Sequence, residues 1–544
     1  MLKPNHRQLE WYARERTAFF HFGMNTFTER EWGDGTESPA IFDPTELDCR
    51  QWLRAIKENG FDAAILTAKH HDGFCLWPSK YTDHSIKNSP YKNGKGDIVR
   101  EFTDACHEFG IKAGIYLSPW DRHEPTWGSE EYNDFYVGQL TELLTNYGEI
   151  YEIWWDGAGS EKAHYDWSRW GETVRTLQPN AVIFGSLGAT PYVDVRWVGN
   201  EKGIAGKPCY STVDYRDLEL ETTSKLNSGS ADGTAFIPAE SDVSIRPGWF
   251  YHDDQDTDVR SPHNLVNLWF ASRGRNSGLL LNIPPDRRGL LCDADVQALQ
   301  GAHRILTDAL SHNLAQGATV SDAAKKAVEA APLLGTDPAD FIQLDSENSE
   351  LLISLNGKQT FNMFTLSEPI EHGCAIRELC IDAWQDGEWK TFAETLCVGN
   401  LFSERVPTVT TEKLRIRVRS AIEAPKLYHF GIYRIEEPDP TAELPLTAYN
   451  LLTRRRAVIE TLPNGWDINL GGIYPFNQLR LAEGVHALKV EIFNGTIFET
   501  LVDLQECSGE ALTVDLPQTV DWAYRLRITV KAPTLPERPK LYLI

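Results

Sequence analysis

Two carboxylates are placed where they can do chemistry. Asp156 closes IYEIWWDG (150–157), a short run of β-branched and aromatic residues that reads as a buried strand ending on a carboxylate and then glycine. Glu201 lies in WVGNEKG, a segment with a glycine on either side that reads as a mobile loop. Taken alone, such an aspartate is an acidic loop residue or a helix cap, and such a glutamate is a solvated charge. Their company changes this. His21, then Glu31 and Trp32, follow the first apolar run, and His70 and His71 stand side by side in AKHHDGF. Tyr116 ends a later run with Trp120 just beyond, Trp154 precedes Asp156 by two, and Glu240 and Trp249 come further on. Imidazoles, carboxylates and aromatic rings drawn into one pocket suit a polyhydroxylated ring, with hydroxyls at its rim and C–H groups on its face. Paired carboxylates are what glycoside hydrolysis needs. A separation of about 5–5.5 Å goes with retention, whereas a wider gap admits a water and goes with inversion. Indole and backbone donors favour an ionised Asp156 as nucleophile; Glu201 suits a proton donor whose pKa must rise.

The same histidines with Asp156 also offer ligands for a divalent cation. Against that, the first run carries HFG rather than a His-x-His pair. Adjacent histidines on a strand also point to opposite faces, so only one aims at a common centre. No metal or organic cofactor is expected.

Positioning these residues requires alternating strands and helices. Strands are expected at 18–27, 61–69, 111–118, 150–157, 181–186, 196–201, 236–241 and 278–284, with helices at 46–60, 97–110, 129–148, 162–178 and 293–312. Strand then helix over almost 300 residues implies a parallel sheet, and about eight such strands suit a (β/α)₈-like barrel. Weak helix signals after the fifth and sixth strands point to a degenerate barrel there. In such a barrel the strand C-terminal ends face the active site, where all the residues above fall. From 313 the chain turns strand-rich. The acidic, proline-containing EEPDPTAELP (436–445) reads as a linker, and KLRIRV (413–418) with PKLY (425–428) is echoed by RLRITV (525–530) with PKLY (539–542). The expected organisation is a catalytic barrel over 1–312, a β-sandwich over 313–437 and a second, similarly built β-sandwich (jelly-roll) over 438–544.

A chain of 544 residues exceeds what one core supports. Its net charge of −25 disfavours nucleic acid and anionic membranes as partners and fits a neutral substrate. Seventeen tryptophans against three methionines supply flat apolar faces of the kind sugars stack on, although most of them serve a core equally well. The nine cysteines are odd in number and lack metal-ligand spacing, so reduced thiols are expected. The N-terminus lacks the apolar core of a signal peptide, giving a cytoplasmic expectation, with periplasm or secretion the alternative if a leader has been removed. Oligomeric state is not legible.

HFGMNTFTEREWGDG, LTAKHHDGFCLWPSKYT, GIYLSPWDR and EIWWDG, in this order and spacing, resemble glycoside hydrolase family 29, the α-L-fucosidases, over about residues 10–300. The resemblance implies a retaining mechanism through a covalent fucosyl-enzyme, with Asp156 as nucleophile. It also implies a fucose pocket built from His21, His70, His71 and Trp154, with Glu31, Trp32 and Tyr116 matching less closely. EREWGDGTE (29–37) and VGNEKG (198–203) resemble the subfamily acting on α-1,3/1,4-linked fucose in branched, Lewis-type glycans, except that Glu29 stands where members often carry a small residue. That likeness implies Glu201 as general acid/base and recognition of a galactose on the same GlcNAc; should Glu201 not hold that role, Glu240 is next in line. Trp127, Glu240, Asp242 and Trp249 are candidates for this outer contact. Members usually follow the barrel with one β-sandwich. The segment opening NLAQGATVSDA looks like a discoidin-like or carbohydrate-binding module, with buttressing of the barrel the expected role for both sandwiches. The implied partner is a fucosylated oligosaccharide or glycoconjugate. The rival readings are a fucosidase of broad specificity, the same scaffold acting on another sugar, a glycan-binding protein without turnover, and a metal hydrolase.

Overall fold

A computed structural model describes residues 1–159, 163–185, 189, 191–219, 223–345, 348–437, 457–470, 476–493, 497–520 and 525–542. Eight parallel strands form the first sheet: β1 Thr17–Phe20, β2 Ala63–Lys69, β3 Lys112–Leu117, β4 Glu152–Trp154, β5 Val182–Phe184, β6 Arg196–Trp197, β7 Ala239–Ser244 and β8 Gly278–Asn282. The path runs β5-β4-β3-β2-β1-β8-β7-β6. A parallel bridge from Phe184 to Val195, just before β6, brings the two edges together into a nearly closed barrel.

Period-two alternation sorts the side chains of each strand. Phe19, Ile65, Tyr116, Trp154, Val182 and Leu280 fill the interior, while Ala18, Phe20, Leu66, Ile153 and Leu281 face the outer helices. The outer ring follows from helix-period apolar faces with proper ends. α1 (His6–Tyr12) is followed by α2 (Cys49–Glu58), whose Asp48 cap accepts from the backbone N–H of Arg50 and Gln51. α2 buries Trp52, Leu53 and Ile56 completely, each contributing about 1.5–3 kcal/mol relative to exposure. α3 (Ile98–Phe109) ends on left-handed Gly110, and α4 (Glu130–Asn146) and α5 (Trp167–Leu177) follow. α6 (Pro262–Ala271) and α7 (Asp293–Leu310) complete the ring. No helix among the described residues separates β5 from β6, and a two-stranded hairpin with two short helices fills the space between β6 and β7. The barrel is degenerate where the helix signals are weak.

Several expected strands are shorter than the apolar runs. The run at 18–27 leaves the sheet after Phe20 and turns helical over Met24–Thr28. The run at 196–201 stops at Trp197, two residues before Gly199 with its φ of +81°. The run at 236–241 splits at Pro238, which has no N–H for a ladder: Ala235–Phe236 joins the side hairpin and β7 enters the barrel.

Beyond α7 the sheets are antiparallel. Long strands Ser349–Ser367 and Phe402–Ala421 anchor an eight-stranded sheet system with its own apolar core. A third core lies between a five-stranded and a three-stranded sheet in the C-terminal segment. The sequence echo has a structural counterpart. Arg415 and Arg417 both clasp Asp382 on the neighbouring strand, and Arg525 and Arg527 both clasp Asp467. Of the proposed linker, residues 438–445 lie outside the described residues. No helix among the described residues is long and apolar enough to cross a membrane.

Candidate active site

The C-terminal ends of the barrel strands open on a pocket lined by aromatic rings, imidazoles and carboxylates. Ten of the residues expected at the site from sequence line it, Asp156 and Glu201, His21, His70 and His71, Glu31 and Trp32, and Tyr116, Trp154 and Trp249, whereas Trp120 does not. Asp156 sits two residues past the inward-facing Trp154. Its Oδ2 accepts a 2.9 Å hydrogen bond from the Tyr116 hydroxyl, and its Oδ1 accepts a 2.8 Å bond from the Ala158 N–H. Burial, together with Asp156, pushes the Tyr116 phenol well above its ordinary pKa, so it remains a donor. Glu201 is held differently. Desolvation first, then the charges of Asp156 and Glu31, push its carboxyl up to about 8 against a lowering hydrogen bond from the Trp249 side chain. Its loop is tied down: Asn200 bonds the Ile204 carbonyl and the Lys202 N–H, and Asn227 bonds the carbonyls of Val198 and Ile204.

The three imidazoles are buried and uncharged, and their partners fix their tautomers. His21 Nδ1 faces Asn282 Oδ1 at 2.9 Å, while the Asn282 amide nitrogen donates to Ser244 and to the Trp249 carbonyl. His21 Nδ1 therefore carries the proton and its Nε2 offers a lone pair. His71 Nδ1 lies 2.7 Å from Ser118 Oγ, whose own hydrogen goes to the Trp120 carbonyl, so Nε2, 3.7 Å from Asp156 Oδ2, is again an acceptor. His70 is the reverse: the Asn25 amide donates to its Nδ1, leaving the proton on Nε2. Burial holds His21 at about 3 and His71 at about 4, and lowers His70 well below its ordinary value. Two acceptors and one donor thus face the pocket, a pattern that fits vicinal hydroxyls.

The expectation that His70 and His71 diverge is corrected here. β2 ends at Lys69, with a register break against β3 after Thr67, so both histidines lie beyond the strand where alternation no longer applies. Their rings are 4.0 Å apart and both line the pocket. Among the described residues no group of three or more His, Cys, Asp or Glu is arranged to hold a metal ion.

Glu240 is also corrected. As an inward residue of β7 it is 1 % exposed, below the pocket floor, and its two oxygens accept from Trp154 Nε1 (3.0 Å) and Trp11 Nε1 (3.1 Å). It can contact neither an outer sugar nor a leaving group; it fixes the Trp154 indole. We predict that Glu240→Ala, which strands two buried indole donors, costs about 2–4 kcal/mol in urea unfolding and lowers turnover through a loosened Trp154. Unchanged stability and activity would contradict this role. Asp242, one pleat further along β7, does line the pocket and accepts from Trp197 Nε1 at 2.8 Å. Trp127 bonds the Tyr165 hydroxyl, outside the pocket lining.

Glu31 accepts from His252 Nε2 (2.6 Å) and the Trp249 N–H (2.8 Å), so it holds the Trp249 loop. The close approach needs Gly248, where a Cβ would lie 2.4 Å from Glu31 Oε1. Phe19, Phe184 and Trp197 also line the pocket and were not singled out from sequence. Phe19 lies two residues before His21, so the alternation could have found it. Phe184 stacks on Trp154 at 3.9 Å.

The sequence pattern described as Alpha-L-fucosidase matches residues 3–307. The chain belongs to the α-L-fucosidase family. Alpha-L-fucosidase 1 of Arabidopsis thaliana is 39 % identical over 446 residues, 79 % of this chain and 87 % of that protein. A crystal structure from Bacteroides thetaiotaomicron, of a protein assigned to the α-L-fucosidases, is 44 % identical with a TM-score of 0.77 and covers 80 % of this chain and 98 % of its own. A Ruminococcus gnavus GH29 fucosidase solved in complex with fucose is 30 % identical with a TM-score of 0.73, over 80 % of this chain and 95 % of its own. The pocket described above therefore sits on a barrel of the fold shared with these structures.

Proposed function

We propose that the chain is a retaining exo-α-L-fucosidase releasing α-1,3/1,4-linked L-fucose from branched, Lewis-type oligosaccharides. The observation that carries this is the unlike pair in one pocket: Asp156, with two donors fixed on its carboxylate, and Glu201, whose proton is held to about 8. His21, His70 and His71 hold the fucose hydroxyls, and Trp154 packs against the ring. Asp156 attacks the anomeric carbon as the glycosidic bond breaks, and Glu201 gives its proton to the departing oxygen. Glu201, now ionised, takes a proton from water, which attacks the same carbon and frees Asp156. Two inversions give net retention. Residues 1–312 serve as the catalytic unit, with sandwich modules at 313–437 and 438–544.

The linkage preference is supported by the EREWGDGTE and VGNEKG segments, which carry Glu31, Trp32 and Glu201 to the pocket. It is tested by fucose release from a Lewis-type trisaccharide, an α-1,2-linked H-type trisaccharide and an aryl fucoside. The expected result is rapid turnover of the branched trisaccharide and little of the H-type. Equal turnover of all three would remove the linkage preference and leave a broad fucosidase. No fucose from any of them would overturn the catalytic reading.

A further inference from the structure

The loop after β3, which opens SPWDR (118–122), contributes none of the pocket's lining residues, yet it ties together the loops that do. The Ser118 N–H donates to the Lys69 carbonyl at 3.0 Å and the Arg122 N–H to the His71 carbonyl at 2.8 Å, so bonds fall on both sides of the histidine pair. The Arg122 guanidinium donates to the Gly33 carbonyl and His123 Nδ1 to the Gly35 carbonyl, each at 2.6 Å, which ties down the loop carrying Trp32. Asp121 anchors all of this. It is 2 % exposed, and its Oδ1 accepts from the N–H groups of His123 and Glu124. Its Oδ2 accepts a 2.8 Å bond from Lys69 Nζ, which is fully buried and also donates to Gln139 Oε1 on α4 at 2.9 Å. The rings of Tyr132, Phe135 and Tyr136 on α4 stand 5.9, 5.4 and 5.6 Å from the ammonium. Burial alone would raise the Asp121 carboxyl, but the Lys69 charge and hydrogen bond hold it below its ordinary value, so Asp121 is ionised.

Lys69 is the last residue of β2 and the neighbour of His70. Ile65 faces the barrel interior, and alternation would send Lys69 the same way. The register break after Thr67 turns it to α4 instead, and His70 and His71, next in the chain, both reach the pocket. We propose that the buried Lys69–Asp121 pair is a positioning element of the sugar pocket: it turns the end of β2 so that both histidines face the sugar, and it holds the loop that orients the His71 ring through Ser118. The inference rests on the reading of the pocket as the fucose site. Uncharged side chains of like size would pack against α4 at least as stably, because desolvating two ions offsets most of their attraction. They would lack the directed, charge-assisted bonds that fix β2 to the loop and to α4 at once.

The test replaces both charges at once. Lys69→Met with Asp121→Asn leaves no buried ion and keeps the Oδ1 that accepts from His123 and Glu124, so its melting temperature should stay within a few degrees of wild type. On an aryl α-L-fucoside the double variant should raise KM about tenfold and raise the inhibition constant of free L-fucose by the same factor. Its kcat should fall much less, since Asp156 and Glu201 lie on other elements. A merely structural pair would change only the amount of active enzyme, so unchanged KM and unchanged fucose inhibition, whatever the rate, would overturn the positioning role. Should the double variant fail to fold, Gln139→Met keeps the pair and removes its anchor on α4. It should raise both constants by about threefold, and unchanged constants there would overturn the role equally. If the wild-type enzyme neither cleaves the aryl fucoside nor is inhibited by L-fucose, the pocket reading itself falls, and the positioning role with it.

Discussion

Replacing Asp156 by alanine lowers kcat on an aryl α-L-fucoside by roughly 10,000-fold, the order seen when a covalent nucleophile is removed. The loss should be chemical, not structural. The Asp156 side chain is 26 % exposed, so the Tyr116 hydroxyl and the Ala158 N–H that it leaves behind can turn to water. The far-ultraviolet spectrum and the melting temperature should therefore stay close to wild type. Azide fits the vacated space and should restore part of the rate. It would attack the face that Asp156 used, so the product should be the β-fucosyl azide, the anomer opposite to the substrate. Near-normal turnover by Asp156→Ala would move the nucleophile to another residue.

Glu201→Gln should divide substrates by their need for a proton. A sugar leaving group departs as an alcohol and needs the acid; an activated aryl group departs as a stable anion. The variant should lose on the order of 100- to 10,000-fold on the oligosaccharide and far less on the aryl substrate. In Glu201→Ala, azide should intercept the fucosyl-enzyme on aryl substrate and give the α-fucosyl azide. The sign of the pH dependence follows from the raised carboxyl. A general acid works only while protonated, and desolvation with the nearby Asp156 charge keeps Glu201 protonated up to about pH 8. Oligosaccharide kcat/KM should therefore hold through neutrality and fall about tenfold per pH unit above 8. That alkaline limb should vanish in Glu201→Gln. Equal losses on both substrates, without rescue and with the limb intact, would place the acid elsewhere. Glu240 is excluded by its position beneath Trp154, whereas Asp242 lines the same pocket.

Much of this site was legible because strand ends in a parallel barrel converge whatever the loops do. Asp156, Tyr116 and Trp154 follow from strand C-termini and period-two direction alone. The rule failed where its premise failed. Alternation puts His70 and His71 on opposite faces only if β2 continues through them, and it stops at Lys69. Depth along a strand separated two residues that sequence left together: Glu240 and Asp242 share a face of β7, and one pleat puts the first under the floor and the second in the pocket. The partner of Glu240, Trp11, lies 229 positions away on α1 and no local pattern announces it. Nor could spacing reveal that Phe493 meets Trp32, because that contact depends on how the C-terminal sheets dock against the barrel.

The most direct test of the central claim is trapping the intermediate with a 2-deoxy-2-fluoro-L-fucosyl fluoride. The fluorine slows both steps while the fluoride leaving group still drives the first, so a covalent sugar accumulates if one forms. Peptide mapping by mass spectrometry should then find the fluorofucosyl mass on the peptide containing Asp156, with activity recovering as the adduct hydrolyses. A label on any other residue, or no label together with β-L-fucose as the first product of an α-fucoside, would contradict the account.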